Sequence, residues 1–283
     1  VKVGVSGKIL FDYSFPDPIV TLVMRDTFDG LMIEQARHAG AEFKPGTTFQ
    51  GVHGPVDGLQ VETSRGNFYA RMVVGADGVN SRVARALRLT PGGRYMTAVE
   101  SELYPKRRHT LSPYRGKVDF DFGLVPRGYG WVFPKKNHLS VGVLTLSRKV
   151  GSMKEMYYSY LAARGLLKDT EVKRFQGALI QCGSPRQGRF ANSRGLLIGD
   201  AAGLADPITG EGIFACLQHA RLAADVIGAY VGRRLASIIR YDQLMRERFH
   251  TELTCAGRMS DFFYRFPRLS QAVLQVQASA ILE

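Results

Sequence analysis

Several absences narrow the reading before any motif is considered. The 283-residue chain has one tryptophan and three cysteines, Cys182, Cys216 and Cys255. The cysteine count is odd and no pair has metal or redox spacing, which argues against a disulfide framework and for a reducing compartment. His38, His109 and His219 offer no metal spacing, and no metal is expected. No apolar run reaches the roughly 18–20 residues that a membrane-spanning helix needs. No charged-then-apolar leader is visible, so a cytoplasmic location is expected. Internal repeats and low-complexity tracts are missing, and no Ser–His–Asp arrangement can be argued. The sequence starts at "VKVGVSG" without a methionine and is expected to be a fragment.

The chain that remains is 45% hydrophobic and 22% charged, enough for one large or two smaller domains. Its formal net charge of +13 favours an acidic partner. The basic residues occur in small groups, "PKRRH" at 105–109, "PKK" at 134–136 and "GRR" at 232–234. No helix carries a dense basic stripe, so nucleic acid is not the expected partner. A peripheral contact with an anionic membrane surface, or a phosphorylated substrate, fits better.

Hydrophobic periodicity gives the organisation. "VKVGVSGKILFDYS" reads as strand, turn, strand about Ser6-Gly7, and "IVTLVMR" as a further strand. "RDTFDGLMIEQARHAGAEF" has helical period, with Gly40 as terminator. "TTFQGV" and "LQVETS" alternate, "SRGN" turns, and "FYARMVVGADG" becomes a nearly continuous strand. From about Arg88 to Arg189 strand signals dominate, interrupted by a helix that Ser152 caps with Glu155 three residues on. A buried strand, a glycine-rich loop and a long helix follow from Gly195, and the tail from Tyr241 is helical. Early strand–helix–strand, a β-rich middle and a late strand–loop–helix suggest a discontinuous α/β domain with an inserted sheet domain.

Two places carry chemistry. In "GLLIGDAAGLADPITGEGIFACL" an apolar strand ends at Asp200, where open α/β sheets bind ligands. That carboxylate can accept from a sugar-like hydroxyl. Gly210 and Gly212 let backbone amides approach a ligand at a helix start that favours negative charge. An ordinary strand–turn–helix with an Asp cap explains the stretch equally well. In "VVGADGVNSRVARAL" a second strand ends at Asp77-Gly78, Ser81 can cap the next helix, and Arg82 and Arg85 lie near its first turn. A phosphate would suit that turn; a simple capped turn is the alternative.

These motifs resemble those of flavoproteins with the para-hydroxybenzoate hydroxylase fold, and the chain is similar to the geranylgeranyl reductase family within it. "GADGVNSRVAR" resembles the internal Asp-Gly motif and "GLLIGDAAGLADPITGEGI" the second flavin motif. "RDTFDGLMIEQARHAGAEF" resembles the Arg-x-x-Phe-Asp helix, and "GYGWVFPKKNHLSVGV" the aromatic-x-Trp-x-Phe-Pro motif, with Gly142 at its later position. The resemblance implies FAD as cofactor, with contacts at Arg25, Phe49, Asp77, Gly78, Asp200, Ala201, Gly203, Pro207, Gly210, Gly212 and Ile213. It implies substrate contacts at Tyr129, Trp131, Phe133 and Pro134, an isoprenoid or prenylated lipid as substrate, and NADPH or ferredoxin as reductant. It assigns no catalytic side chain. Lys135 and Lys136 either meet a phosphate headgroup or are a solvated pair. Without the resemblance, the alternating aromatics read as core packing.

The expected fold is α/β: a discontinuous, Rossmann-like FAD-binding domain at 25–87 and 190–234 and an antiparallel substrate sheet at 88–189. Strands of the substrate domain are expected at 1–24 and a helical region at 235–283. The family's G-x-G-x-x-G unit is absent, so weak FAD retention is expected. The expected reaction is reduction of C=C bonds in a geranylgeranyl chain. A monooxygenase or halogenase of the same fold, and a non-catalytic lipid-binding remnant, are the alternatives.

Overall fold

The computed structural model describes residues 1–56, 58–147, 151–183, 188–266 and 269–270. The end of the expected C-terminal helical region, 271–283, lies outside these residues. Strands β1 (Lys2–Val5) and β2 (Lys8–Asp12) form the first hairpin, and Ser6 and Gly7 supply its positive φ angles of 52° and 79°. Helix α1 (Arg25–His38) ends at Gly40, whose φ is 95°. Strands β3 (Phe49–His53), β4 (Leu59–Thr63), β5 (Gly66–Ala70) and β6 (Val73–Gly75) precede α2 (Arg82–Ala86). The long β7 (Arg94–Pro105) leads through a 3-10 turn to β8 (Asp119–Phe122), β9 (Gly128–Pro134) and β10 (Leu139–Thr145). Then come α3 (Met153–Ala163), β11 (Thr170–Cys182), β12 (Ala191–Asn192) and β13 (Gly195–Leu197). Helices α4 (Ile213–Val231) and α5 (Arg240–Arg265) complete the described chain. None of its helices is long and apolar enough to cross a membrane.

Two compact units emerge. The first draws on Val1–Thr47 and Val99–Gly177, the second on Thr48–Ala98 and Ala178–Phe266. In the first, a seven-stranded sheet runs in the order β11-β7-β10-β9-β8-β1-β2. The pairs β1–β2, β8–β9 and β9–β10 are antiparallel, but β1 lies parallel to β8, so the sheet is mixed rather than purely antiparallel. The strand expected at "IVTLVMR" does not form: residues 19–24 join no ladder. A strand needs a partner, and this stretch has instead a side-chain tie, from Lys135 Nζ to the Val23 carbonyl at 2.8 Å.

One face of this sheet is closed by α3. Ser152 caps the helix as the sequence suggests, accepting from the Glu155 amide at 3.2 Å. Tyr157, Tyr160 and Leu161 bury themselves against Val99, Leu103, Val132, Val141 and Val143. Within this layer sit two carboxylates, Asp119 and Asp121, each 1% exposed. Arg164, just past α3, reaches Asp119 at 2.5 Å and Asp121 at 3.3 Å. The Gly7 amide donates to Asp121 at 3.0 Å. Burial pushes the Asp121 carboxyl up to about 6 although Arg164 and the Gly7 amide favour its charged form.

The second unit holds a sheet ordered β12-β13-β6 and a meander β3-β4-β5. Leu59, Phe190, Leu196, Leu197, Tyr241 and Met245 are its fully buried centre. Asp242 fixes the chain entering β12, accepting from the amides of Phe190 at 2.6 Å and Ala191 at 2.9 Å. Cys182 is fully buried, as a small core residue would be, while Cys216 is half-buried and Cys255 exposed. His219 is 1% exposed, lies edge-on to Phe249, and finds no hydrogen-bond partner for either ring nitrogen among the described residues.

Burial of that imidazole draws its pKa from 6.5 down to about 4. Between these values the unfolded chain binds a proton that the folded chain refuses, so this group lowers stability as pH falls through the window. Asp121 acts in the opposite sense, binding its proton more readily when folded. Over this range the loss from His219 is expected to be roughly 2–3 kcal/mol. His219→Leu should remove it, so in thermal unfolding at several pH values the variant should lose less stability than the parent as pH falls from about 6.5 to about 4. Equal acid sensitivity in both would place the effect elsewhere.

Candidate functional site

The second unit builds its site from a strand pairing that is distant in sequence. β13 lies parallel to β6 with Leu197 opposite Gly75, and the Ile198 amide donates to the Gly75 carbonyl at 2.9 Å. Asp77 and Asp200 therefore both lie just beyond the carboxyl ends of paired parallel strands, the edge where such sheets receive ligands.

The two carboxylates are used differently. Asp77 accepts from the amides of Arg82 at 2.7 Å and Val83 at 3.1 Å, and from Ser81 Oγ at 2.5 Å. Ser81 Oγ in turn accepts from the Ala84 amide at 2.9 Å. The start of α2 is thus filled by the protein's own side chains, which leaves those amides unavailable to a phosphate there. Gly78 makes the turn at φ 79°, and Arg82 reaches back to the Phe49 carbonyl at 3.4 Å.

Asp200 rides a 3-10 turn over Gly199–Ala201, exposed, and has no partner among the described residues. Its Oδ1 lies 3.1 Å from where a side chain on Gly212 would begin. Ala201 beside it is 1% exposed. Gly203 has φ 70°, and any Cβ there would come within 2.7 Å of Gln181 and 2.8 Å of the Gly92 carbonyl. At the start of α4, Glu211 accepts from the Phe214 amide at 2.8 Å, whereas the amides of Gly212 and Ile213 have no partner among the described residues. An open carboxylate therefore lies beside two unfilled N–H groups at the positive end of a 19-residue helix. The pair can accept a hydroxyl and stabilise partial negative charge on one ligand.

Pro207 and Gly210 lie in the loop before α4, and an aspartate that the sequence reading passed over shapes it. Asp206 Oδ1 accepts from the amides of Ile208 at 3.0 Å and Thr209 at 2.6 Å, and the Asp206 carbonyl accepts from Gly210 at 2.9 Å. Tyr264 of α5 donates to the Ile208 carbonyl. Asp-Pro-x-Thr was the available signal, as an Asx turn.

Arg25 and the aromatic residues belong to the first unit. Arg25 opens α1 and pairs with Asp29 at 2.9 Å. Tyr129, Trp131 and Phe133 share the face of β9 that points away from Tyr160, with ring centroids 5.8 and 6.1 Å apart, and Pro134 ends the strand. Phe120 of β8 joins them, 5.7 Å from Tyr129 and 5.3 Å from Phe133. Gly142 stands directly across from Trp131, and the indole occupies the space where a side chain at 142 would begin. Next along β10, Ser140 donates to Glu100 at 3.3 Å, and Gln176 donates to the other Glu100 oxygen at 2.7 Å. This polar border beside the aromatic row was not foreseen.

Known proteins resemble this chain. A family model described as an FAD binding domain matches residues 7–251. The chloroplastic geranylgeranyl diphosphate reductase of Oryza sativa is 29% identical over 246 residues, covering 81% of this chain and 51% of the relative. The chain thus spans about half the length of that relative. Among solved structures, a geranylgeranyl bacteriochlorophyll reductase-like protein from Thermoplasma acidophilum superposes with TM-score 0.80 at 21% identity, over 92% of this chain and 69% of the other. The p-nitrophenol 4-monooxygenase of Pseudomonas putida superposes with TM-score 0.73 at 16% identity, over 98% and 76%. Both likenesses are of fold.

The packing of Trp131 on Gly142 is directly testable, because Trp131 is the sole tryptophan. Gly142→Ala should displace the indole, shift its emission and near-ultraviolet dichroism, and destabilise the protein by about 1–3 kcal/mol through overpacking. An unaltered spectrum with unaltered melting would show that the ring does not rest there.

Proposed function

The chain belongs to the FAD binding domain family, and from that premise we propose that it reduces isolated C=C bonds in a geranylgeranyl-type chain. The observation that carries the reading is the aromatic row Tyr129, Trp131 and Phe133, laid flat by Gly142 on one face of the sheet. An isoprenoid offers no polar handle along its length, so only such an apolar, ring-lined surface can hold it in register.

The residues of the second unit suit FAD. Asp200 is free to accept from the ribityl chain, and the unfilled amides of Gly212 and Ile213 suit the part of a flavin that gains negative charge on reduction. Gly203 and Gly210 keep side chains off the approach, and Ala201 adds little bulk beside them. When bound, FAD would supply hydride chemistry that no side chain here offers. The protein's own part is placement: Asp200 and the α4 amides hold the cofactor, the aromatic row positions the alkene, and the apolar face keeps water away from it.

The deciding experiment is anaerobic incubation of the protein with FAD, a reductant and a geranylgeranyl substrate, followed by mass analysis. Addition of two hydrogens per reduced double bond supports the reading. In a parallel aerobic incubation, oxygen consumption with an oxygen atom in the product would instead support the monooxygenase chemistry named for the Pseudomonas neighbour.

Two variants apportion the roles. Asp200→Ala removes one charge-assisted hydrogen bond of about 1.5–3 kcal/mol and should weaken FAD retention accordingly; unchanged retention after dialysis would remove Asp200 from the cofactor site. Trp131 is only 9% exposed, so Trp131→Ala should lower melting; assayed well below that melting point and per bound flavin, it should also cut alkene reduction by on the order of a hundredfold through misplacement of the substrate. Unchanged reduction per bound flavin would leave Trp131 a core residue only.

A further inference from the structure

The first unit also contains a cavity of about 630 Å³, within the size range of small-molecule sites. It lies between the extended chain at 13–22, the turn at 115–118 and the end of β9 at 134–136. We propose that this cavity binds the phosphate-bearing headgroup of the substrate whose prenyl chain lies along the aromatic row. The inference rests on the reading of that row as a prenyl surface.

Charge comes first. Arg115, Lys117, Lys135 and Lys136 line the cavity, against one acidic lining residue, Asp17. Two of the four cations are committed to the protein. Lys117 pairs with Asp12 at 2.6 Å, and Lys135 donates to the Val23 carbonyl at 2.8 Å, where burial lowers its pKa. Arg115 and Lys136 make no side-chain hydrogen bond or ion pair among the described residues. Two uncommitted cations facing one cavity suit a doubly charged anion better than a neutral group.

The remaining wall is apolar. Phe15, Ile19 and Val20 line it and are 43%, 55% and 49% exposed. A free inorganic anion would not need those side chains, whereas a phosphate attached to a hydrocarbon uses both walls. The aromatic row leads here directly: Pro134 and Lys135 follow Phe133 in sequence, so the strand that carries the rings ends in the wall of the cavity. The occupant is therefore an amphiphile with a phosphate or diphosphate head and an apolar chain.

Titration calorimetry without reductant tests this apart from turnover. The probes are geranylgeranyl diphosphate, geranylgeraniol and inorganic pyrophosphate. The parent protein should bind geranylgeranyl diphosphate at least tenfold more tightly than geranylgeraniol. The double variant Arg115→Ala/Lys136→Ala should lose that preference while binding geranylgeraniol as before. The control Lys154→Ala/Arg221→Ala, with the same change in net charge, should keep it. An undiminished preference in the first variant, an equal loss in the control, or pyrophosphate binding as tight as geranylgeranyl diphosphate would each overturn the proposal. Variant-sensitive preference without alkene reduction would sink the proposed reaction and leave this site standing. Reduction without the preference would do the reverse.

Discussion

The parallel contact between Val73–Gly75 and Gly195–Leu197 is the constraint on which the second unit depends. Its two glycines are required by contact rather than by backbone angle. A Cβ at Gly75 would come 2.6 Å from Leu197 Cδ2 and 3.0 Å from Val83, and one at Gly195 would strike the Val73 carbonyl. Only with both positions bare can the strands approach, seat Leu196 and Leu197 among Phe190 and Tyr241, and finish at a common edge. The position of both aspartates derives from that approach. Neither could be placed by the local sequence around it, because the partner strand comes from the far end of the chain.

That common edge then separates two similar motifs. Strand, aspartate, glycine and helix occur twice, yet Asp77 is fully engaged at the start of α2, whereas Asp200 has no partner among the described residues. The difference lies in the path of the chain just after each carboxylate. After Asp77 the chain turns at once into a five-residue helix, so its first amides come back onto the carboxylate. After Asp200 a loop organised by Asp206 and tied down by Tyr264 intervenes before α4 begins. The delay leaves a long helix with two amides unfilled beside an open carboxylate. One motif serves folding and the other is left available for a ligand.

Local signals were the legible ones. The caps at Ser81 and Ser152, the turn at Ser6-Gly7 and the period-2 aromatics of β9 each depend on residues within a few positions of one another, and each is found as read. The FAD binding fold and the geranylgeranyl reductase likeness were carried by motifs of this kind. The expectations that failed depended on partners. Residues 19–24 have strand composition, but no strand among the described residues pairs with them. The parallel β1–β8 contact is a tertiary choice that neither strand encodes alone. "DFDF" at 119–122 alternates plainly, yet alternation does not say which face will be covered. The charged face proved to be the buried one, because Arg164 arrives from α3 to meet it.

That inversion bears on the aromatic row. Across the β8–β9 pairing, Phe120 stands opposite Trp131, while Asp121 stands opposite Gly130 and Asp119 opposite Val132. The face that carries the rings, where Tyr129 and Trp131 are themselves buried, is therefore backed, strand for strand, by the layer holding the two carboxylates and Arg164. Gly130 lies under the Tyr160 ring, whose packing leaves no room for a side chain there. A buried ion cluster adds little net stability, since desolvation offsets most of the attraction. Its effect is directional: a carboxylate held by Arg164 and by the Gly7 amide resists sliding of β8 against α3 and against the first hairpin. On the proposed function, a ring face that holds a featureless hydrocarbon in one register needs a support that does not slide. Purely apolar packing behind β9 would have filled the same volume without fixing that register.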